Sequence, residues 1–212
     1  MEKPIRALAT DEISEIERIL GCHGLVVDLR DSWGSLSNPQ HRVKIRQALV
    51  TYLAENRSHA SFDSPSWASA LDTLPVSPGH FISISHGYRI GGYALCEKSP
   101  SLSGLGFDLE TLSRLTPAIV ERISNPLERA SSPDPRFLWA AKEASFKASL
   151  GPRQPVAITE IRIENWSSLG GFFHTFTALS QQHNLGRGVL YSNPRNDEVF
   201  AFFLGIAEIL LT

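Results

Sequence analysis

Two carboxylates stand one residue apart in Gly106-Phe107-Asp108-Leu109-Glu110. On an extended strand successive side chains alternate, so Asp108 and Glu110 share one face about 7 Å apart, while Phe107 and Leu109 turn together to the other. Like charges side by side repel, and the pair is costly unless a cation lies between them or water covers the face. Taken alone, the pattern is equally that of a half-exposed strand with an acidic outer face. A third carboxylate, Glu143, lies in PRFLWAAKEASFKASLG, residues 135–151. At about 100° per residue, Trp139, Phe146 and Leu150 fall in one sector of a helix, with Glu143 beside them and Lys147 one turn beyond. A carboxylate bordering an apolar stripe needs a partner as it leaves water. One candidate is Lys147 at i+4, an ordinary helical ion pair; the other is a divalent cation shared with Asp108 and Glu110.

Carboxylates alone select Mg²⁺, or Mn²⁺, over zinc, and no Cys or His set is spaced to help. Three acids with a nearby lysine point to phosphate chemistry. There a metal neutralises developing charge, a carboxylate takes a proton from the attacking hydroxyl, and a lysine stabilises a phosphate oxygen. A second charged group lies upstream, where His41, Arg42, Lys44 and Arg46 follow the helix-start signal Asn38-Pro39. These form a solvated basic face, or an anion site in which the helix dipole adds to the charge.

The elements that must carry these residues are legible in the periodicity. Helical spacing predicts a short helix over 11–20, capped by Thr10 or Asp11, and a longer one over 39–56 with Ile45, Ala48, Leu49, Tyr52 and Leu53 as its apolar stripe. Ser, Pro and Asp dominate 58–79, which reads as loop. Strand signals follow at 81–85 and 90–96 as a hairpin, then at 102–110. Thr116 caps and Pro117 opens a helix over 116–123, and Asp134-Pro135 opens another that runs to Leu150 and stops at Gly151-Pro152. Beyond it the pattern is β, at 158–166, 172–179, 188–191 and 199–207. The order gives an α+β class with mostly antiparallel strands, divisible into lobes near residues 100–103.

Composition excludes several alternatives. The 212 residues are 42% hydrophobic, and 20 Lys and Arg against 22 Asp and Glu leave a formal charge of -2. No global positive field exists to hold nucleic acid or an anionic membrane. Two cysteines, Cys22 and Cys96, make neither a disulfide framework nor a ligand set, which suits a reducing compartment. The amino terminus turns acidic where a signal peptide would be apolar, and the longest apolar run, 199–207, is too short to span a bilayer. The expectation is a cytoplasmic protein without nucleic-acid or membrane partners.

The acidic strand and the helix together resemble the two signature motifs of the 4′-phosphopantetheinyl transferases. GxDxE is matched by residues 106–110, and WxxKExxxKA by Trp139, Lys142, Glu143, Lys147 and Ala148, in the same order. Ile82-Ser83-Ile84-Ser85-His86 resembles that family's strand ending in Ser-His, and His41-Arg42 its His-Arg pair. Residues 119–123 and Asn125-Pro126-Leu127-Glu128 resemble a helix and acidic turn between the signatures. The likeness spans roughly residues 41–148, and the length is similar to that of the surfactin-synthetase-activating type.

This resemblance implies transfer of the 4′-phosphopantetheine arm of coenzyme A to a serine of an acyl or peptidyl carrier protein, by a monomer. It implies two similar lobes related by a pseudo-twofold, 1–102 and 103–212, each a small sheet against a long helix, with the active site between them. By position, Asp108, Glu110 and Glu143 would hold Mg²⁺, and Glu143 would also deprotonate the serine. Lys147 would contact the phosphates, while Arg42, Ser85 and His86 would bind coenzyme A. Lys142 is turned away from the Glu143 side by helical geometry, and Trp139 is expected in the core. The family's Gly-Lys-Pro segment is absent, Pro65-Ser66-Trp67 and Leu74-Pro75 standing there without a lysine, and Arg153 is one candidate for a compensating charge. How the 3′-phosphate of coenzyme A is held is left open by the sequence.

Overall fold

The computed structural model describes residues 8–35, 40–56, 79–149, 154–192 and 197–207. The loop expected over 58–79 lies almost wholly outside them, as do Asn38-Pro39, Gly151-Pro152 and Arg153. Among the described residues the chain is α+β, with five α-helices and two antiparallel sheets.

The smaller sheet joins β1 (Val26–Arg30), β2 (His80–His86) and β3 (Gly91–Glu97), with β3 in the centre. No sequence signal assigns β1, a five-residue strand. Helix α2 (His41–Glu55) lays Ile45, Leu49 and Leu53 against Trp33, Tyr93 and Leu95, the stripe expected from its spacing. Helix α1 (Thr10–Leu20) buries Ile16 and Leu20. Its cap position is Ala9 rather than Thr10 or Asp11. Alanine offers no acceptor there, and Glu12 reaches back instead to take the Ala9 N–H at 2.7 Å.

The larger sheet has the order β4-β8-β7-β6-β5, formed by β4 (Leu102–Thr111), β5 (Ile161–Ser168), β6 (Phe173–Ser180), β7 (His183–Ser192) and β8 (Glu198–Ile206). Between β4 and β5 lie α3 (Pro117–Ile123), α4 (Pro126–Ser131) and α5 (Phe137–Ala148). Thr116 caps α3 through Ile119 N–H, with Pro117 in its first turn, as the sequence predicts. Strand β7 begins five residues before the expected Gly188, because its hairpin turn is made by Gln181 and Gln182, both at positive φ. Glutamine gives no turn signal, whereas Asn-Gly would.

Alternation on β4 divides the interior. Phe107 and Leu109 join Phe200, Phe202, Ile16 and Leu20 on one face. On the other, α5 brings Ala140, Ala141, Ala144 and Ala148 against Ile163, Phe176 and Phe203. Small residues on both partners let α5 lie directly on β4. A Cβ on Gly106 would sit 1.7 Å from the Ala144 carbonyl oxygen, and one on Gly104 2.2 Å from that of Ala148. The glycine of the GxDxE pattern is therefore the footprint of the helix, and it fixes how far Glu143 and Lys147 stand from Asp108.

The two sheets meet where β2 runs beside β4. Ser83 Oγ accepts the Phe107 N–H at 2.9 Å and Ser85 Oγ the Leu109 N–H at 3.3 Å, so the strands run in the same direction. Two serine hydroxyls occupy the place of ladder carbonyls, and backbone donors at the seam are satisfied.

Candidate functional site

The seam opens into a cavity of about 730 Å³ lined by β2, α2, β4 and α5. Asp108, Glu110, Glu143 and Lys147 line it, together with Arg42, Ser85 and His86. All seven residues singled out by sequence therefore share one space, although segments far apart along the chain supply them.

Asp108 is buried, 4% exposed. Its Oδ1 accepts from Lys147 Nζ at 2.6 Å and from Ser85 Oγ at 2.8 Å. Its Oδ2 is buried without a hydrogen-bond partner. A carboxylate oxygen withdrawn from water and left unsatisfied carries a desolvation cost of roughly 1–3 kcal/mol. Lys147 Nζ also reaches Ser85 Oγ and the Phe107 carbonyl, each at 3.2 Å. The close ion pair of this lysine is thus with Asp108 across the helix–strand contact, not the i+4 contact that helical spacing suggests.

Electrostatics tie the remaining acids to the same spot. Burial pushes the Glu110 carboxyl up to about 7, Asp108 and Glu143 adding to the rise while Lys147 and a hydrogen bond from Trp139 oppose it. The Glu143 carboxyl is likewise raised, chiefly by burial and then by Asp108, with Lys147 opposing. Mutual repulsion among three carboxylates is the charge pattern a divalent ion relieves. Among the described residues, however, no group of three His, Cys, Asp or Glu side chains stands ready to hold a metal.

His86 differs from a phosphate-binding cation. Burial, His41 and Arg42 push its imidazole down to about 4, so the ring is neutral near pH 7. Arg42 Nε donates to His86 Nε2 at 2.9 Å, and the His41 ring stands edge-on with centroids 4.2 Å apart. The neutral ring orients the guanidinium by accepting from it. Trp139, expected in the core, is only partly buried; it packs against the α5 core and also lines the cavity.

Lys142 lies on the opposite side of α5, as helical geometry requires. It is fully buried, donating to the Ile123 carbonyl at 2.7 Å and pairing with Glu128 at 2.9 Å. Glu128 in turn accepts the N–H groups of Asn125 and Ile163. Through Lys142 and Glu128 this network joins α3, α4 and β5 to α5, while the Asn125 contact caps α4 itself. The sequence pattern marks Glu128 without pairing it with Lys142. Nor does it point to Lys98, His80, Phe81 and Gln154, which also stand on the cavity wall.

Compared with known protein families and with curated proteins, the chain matches none.

Proposed function

We propose that this protein transfers the 4′-phosphopantetheine group of coenzyme A to a serine hydroxyl of an acyl or peptidyl carrier protein, releasing 3′,5′-ADP. The observation that carries the reading is the buried, unpartnered Asp108 Oδ2 in a cavity wall shared with Glu110, Glu143 and Lys147. That wall suits Mg²⁺, or Mn²⁺, in donor type: its acids offer oxygen alone, and one oxygen is unsatisfied. Asp108, Glu110 and Glu143 would hold the ion, which when bound neutralises charge on the pyrophosphate.

The chain's own residues then divide the work. Glu143, whose carboxyl burial makes more basic, takes the proton of the attacking serine hydroxyl. The serine oxygen bonds to the pantetheine-bearing phosphorus, the bond to the bridging pyrophosphate oxygen breaks, and the electron pair leaves with 3′,5′-ADP. Lys147, anchored on Asp108 and Ser85, faces the charge that builds on that oxygen. Arg42, oriented by His86, binds a phosphate on the α2 side of the cavity. The reading also treats the molecule as a cytoplasmic monomer of two related lobes, 1–102 and 103–212, with the site between them. In its support, the cavity is lined by residues of β2 and α2 together with residues of β4 and α5.

The test is to incubate the protein with coenzyme A, Mg²⁺ and a panel of apo carrier proteins, and to weigh the carriers. A gain of one phosphopantetheine is expected. Glu143→Gln keeps shape but loses charge and basicity, and is expected to lower turnover about 10²–10⁴-fold with an unchanged circular dichroism spectrum. No gain on any carrier would overturn the reading in favour of a coenzyme A-binding or other metal-dependent phosphotransfer protein.

A further inference from the structure

Both cysteines of the chain are free and buried, Cys22 4% and Cys96 0% exposed, and both belong to the apolar cluster to which the two sheets contribute. Cys22 stands in the turn between α1 and β1, just past Gly21, which ends the helix at φ 65°. Cys96 lies on β3, opposite Phe81 of β2. The Glu97 N–H donates to the His23 carbonyl at 2.9 Å, so the backbone next to one cysteine is tied to the backbone next to the other. The two thiols stand close enough to act as each other's hydrogen-bond partners. A buried free cysteine ordinarily serves as a small apolar side chain, a role that does not call for a second thiol in contact from a segment far along the chain. Neither cysteine lines the cavity, so the pair is separate from the site above.

The pair also has a place in the architecture. Helix α1 rests on the larger sheet, where Ile16 and Leu20 pack with Val189 and Phe202 and where Arg187 of β7 donates to the Leu20 carbonyl. Strand β3 is the centre of the smaller sheet. The sulfurs therefore meet where an element docked on one sheet reaches the other. They are also unequal. Donation from Cys96 pulls the Cys22 thiol below its ordinary range against burial and Glu17, whereas Cys22 and burial push the Cys96 thiol up. The thiolate is the species that attacks, so Cys22 is suited to react first and Cys96 to resolve.

We propose that Cys22 and Cys96 form an oxidative modification site, at which a hydroperoxide converts the two thiols to an intramolecular disulfide that staples α1 to the smaller sheet. Cys22 Sγ attacks one peroxide oxygen, the O–O bond breaks, and the first water leaves as a sulfenic acid forms on Cys22. Cys96 Sγ then attacks that sulfur, the S–O bond breaks, the S–S bond forms and the second water leaves. The two thiols lose two electrons to the peroxide, and their two protons depart in the two waters. The bond closes a long loop that holds β1, α2 and β2, and closure of a long loop restrains the unfolded chain most.

The experiment treats the full chain with hydrogen peroxide, quenches it with an alkylating agent in denaturant, and weighs it intact and after proteolysis without reductant. The expected result is a loss of about 2 Da with no alkylation, one linked peptide pair containing Cys22 and Cys96, and reversal by dithiothreitol. The oxidised protein is expected to melt roughly 5 °C above the reduced one. Peptide mapping separates this from oxygen added at Met1, the single methionine. Cys96→Ala should halt Cys22 at the oxygenated stage, and Cys22→Ala should leave Cys96 unmodified. Two alkylatable thiols after treatment, a disulfide between two chains, or a sulfinic acid on Cys22 in place of the link would overturn the proposal. A linked pair with an unchanged or lowered Tm would overturn the staple. Mass and peptide map are read on the wild type, so they decide the matter even where a variant fails to fold.

Discussion

Ser85 is a single hydroxyl on which three elements depend. It donates to Asp108, accepts from Leu109 N–H and meets the Lys147 ammonium, thereby joining β2, β4 and α5. Ser85→Ala leaves a backbone donor and a carboxylate oxygen short of partners in a buried seam, and such losses cost about 1–3 kcal/mol. Denaturant unfolding of that variant is expected to show a loss in this range, and carrier modification should fall as the Lys147 position relaxes. A loss under about 0.5 kcal/mol would mean that water replaces the hydroxyl. At this scale the sequence is informative about residue types: alternation places Asp108 and Glu110 on one face, and helical spacing separates Lys142 from Glu143. Cross-chain partners are not legible, because Ser85 and Asp108 are 23 residues apart and nothing local records that their strands run side by side.

Elements are legible where a local rule acts. The Thr116-Pro117 start of α3, the apolar stripe of α2 and the alternation of β4 all follow from period and capping. The turn at Gln181-Gln182 and the short β1 are not, since pairing within a sheet rather than residue preference holds them. The contact between β4 and α5 shows what a motif glycine does at this scale. Gly106 lacks a Cβ so that the Ala144 carbonyl can lie against it. Gly106→Ala therefore has to move the helix, because the obstacle is backbone and not a flexible side chain. Overpacking of this kind costs typically about 1–3 kcal/mol. It should also lengthen the Lys147–Asp108 contact. Calorimetric melting is expected to show a lowered Tm, and turnover should fall further than in Gly104→Ala, which crowds α5 at its end.

The two sheets are joined along the β2–β4 seam and through an apolar cluster to which both contribute, and a buried carboxylate on β8 opposes that union. Glu198 on β8 is 3% exposed, and Thr111 Oγ1 donates to its carboxylate at 3.2 Å. Burial pushes this carboxyl up to about 7; Asp197 and Asp31 add to the rise, while Thr111 and Arg89 oppose it. Asp31 and Arg89 flank the strands of the smaller sheet, so the balance at Glu198 depends on how the sheets are docked. A carboxyl raised on folding binds its proton more tightly in the native state than in the unfolded one. Its contribution to stability is therefore greatest below about pH 4.5 and declines as pH rises to about 7, beyond which both states are ionised. A tenfold difference in proton affinity between the two states is worth about 1.4 kcal/mol, so Glu198→Gln is expected to stabilise the protein by up to about 3 kcal/mol at pH 8 and hardly at all at about pH 4.5. Glu110 titrates in the same window with the same sign, which is why the difference between variant and wild type is the quantity to follow across pH by denaturant unfolding. A pH-independent difference would mean that Glu198 keeps its charge in the folded protein, with Arg89 close enough to balance it.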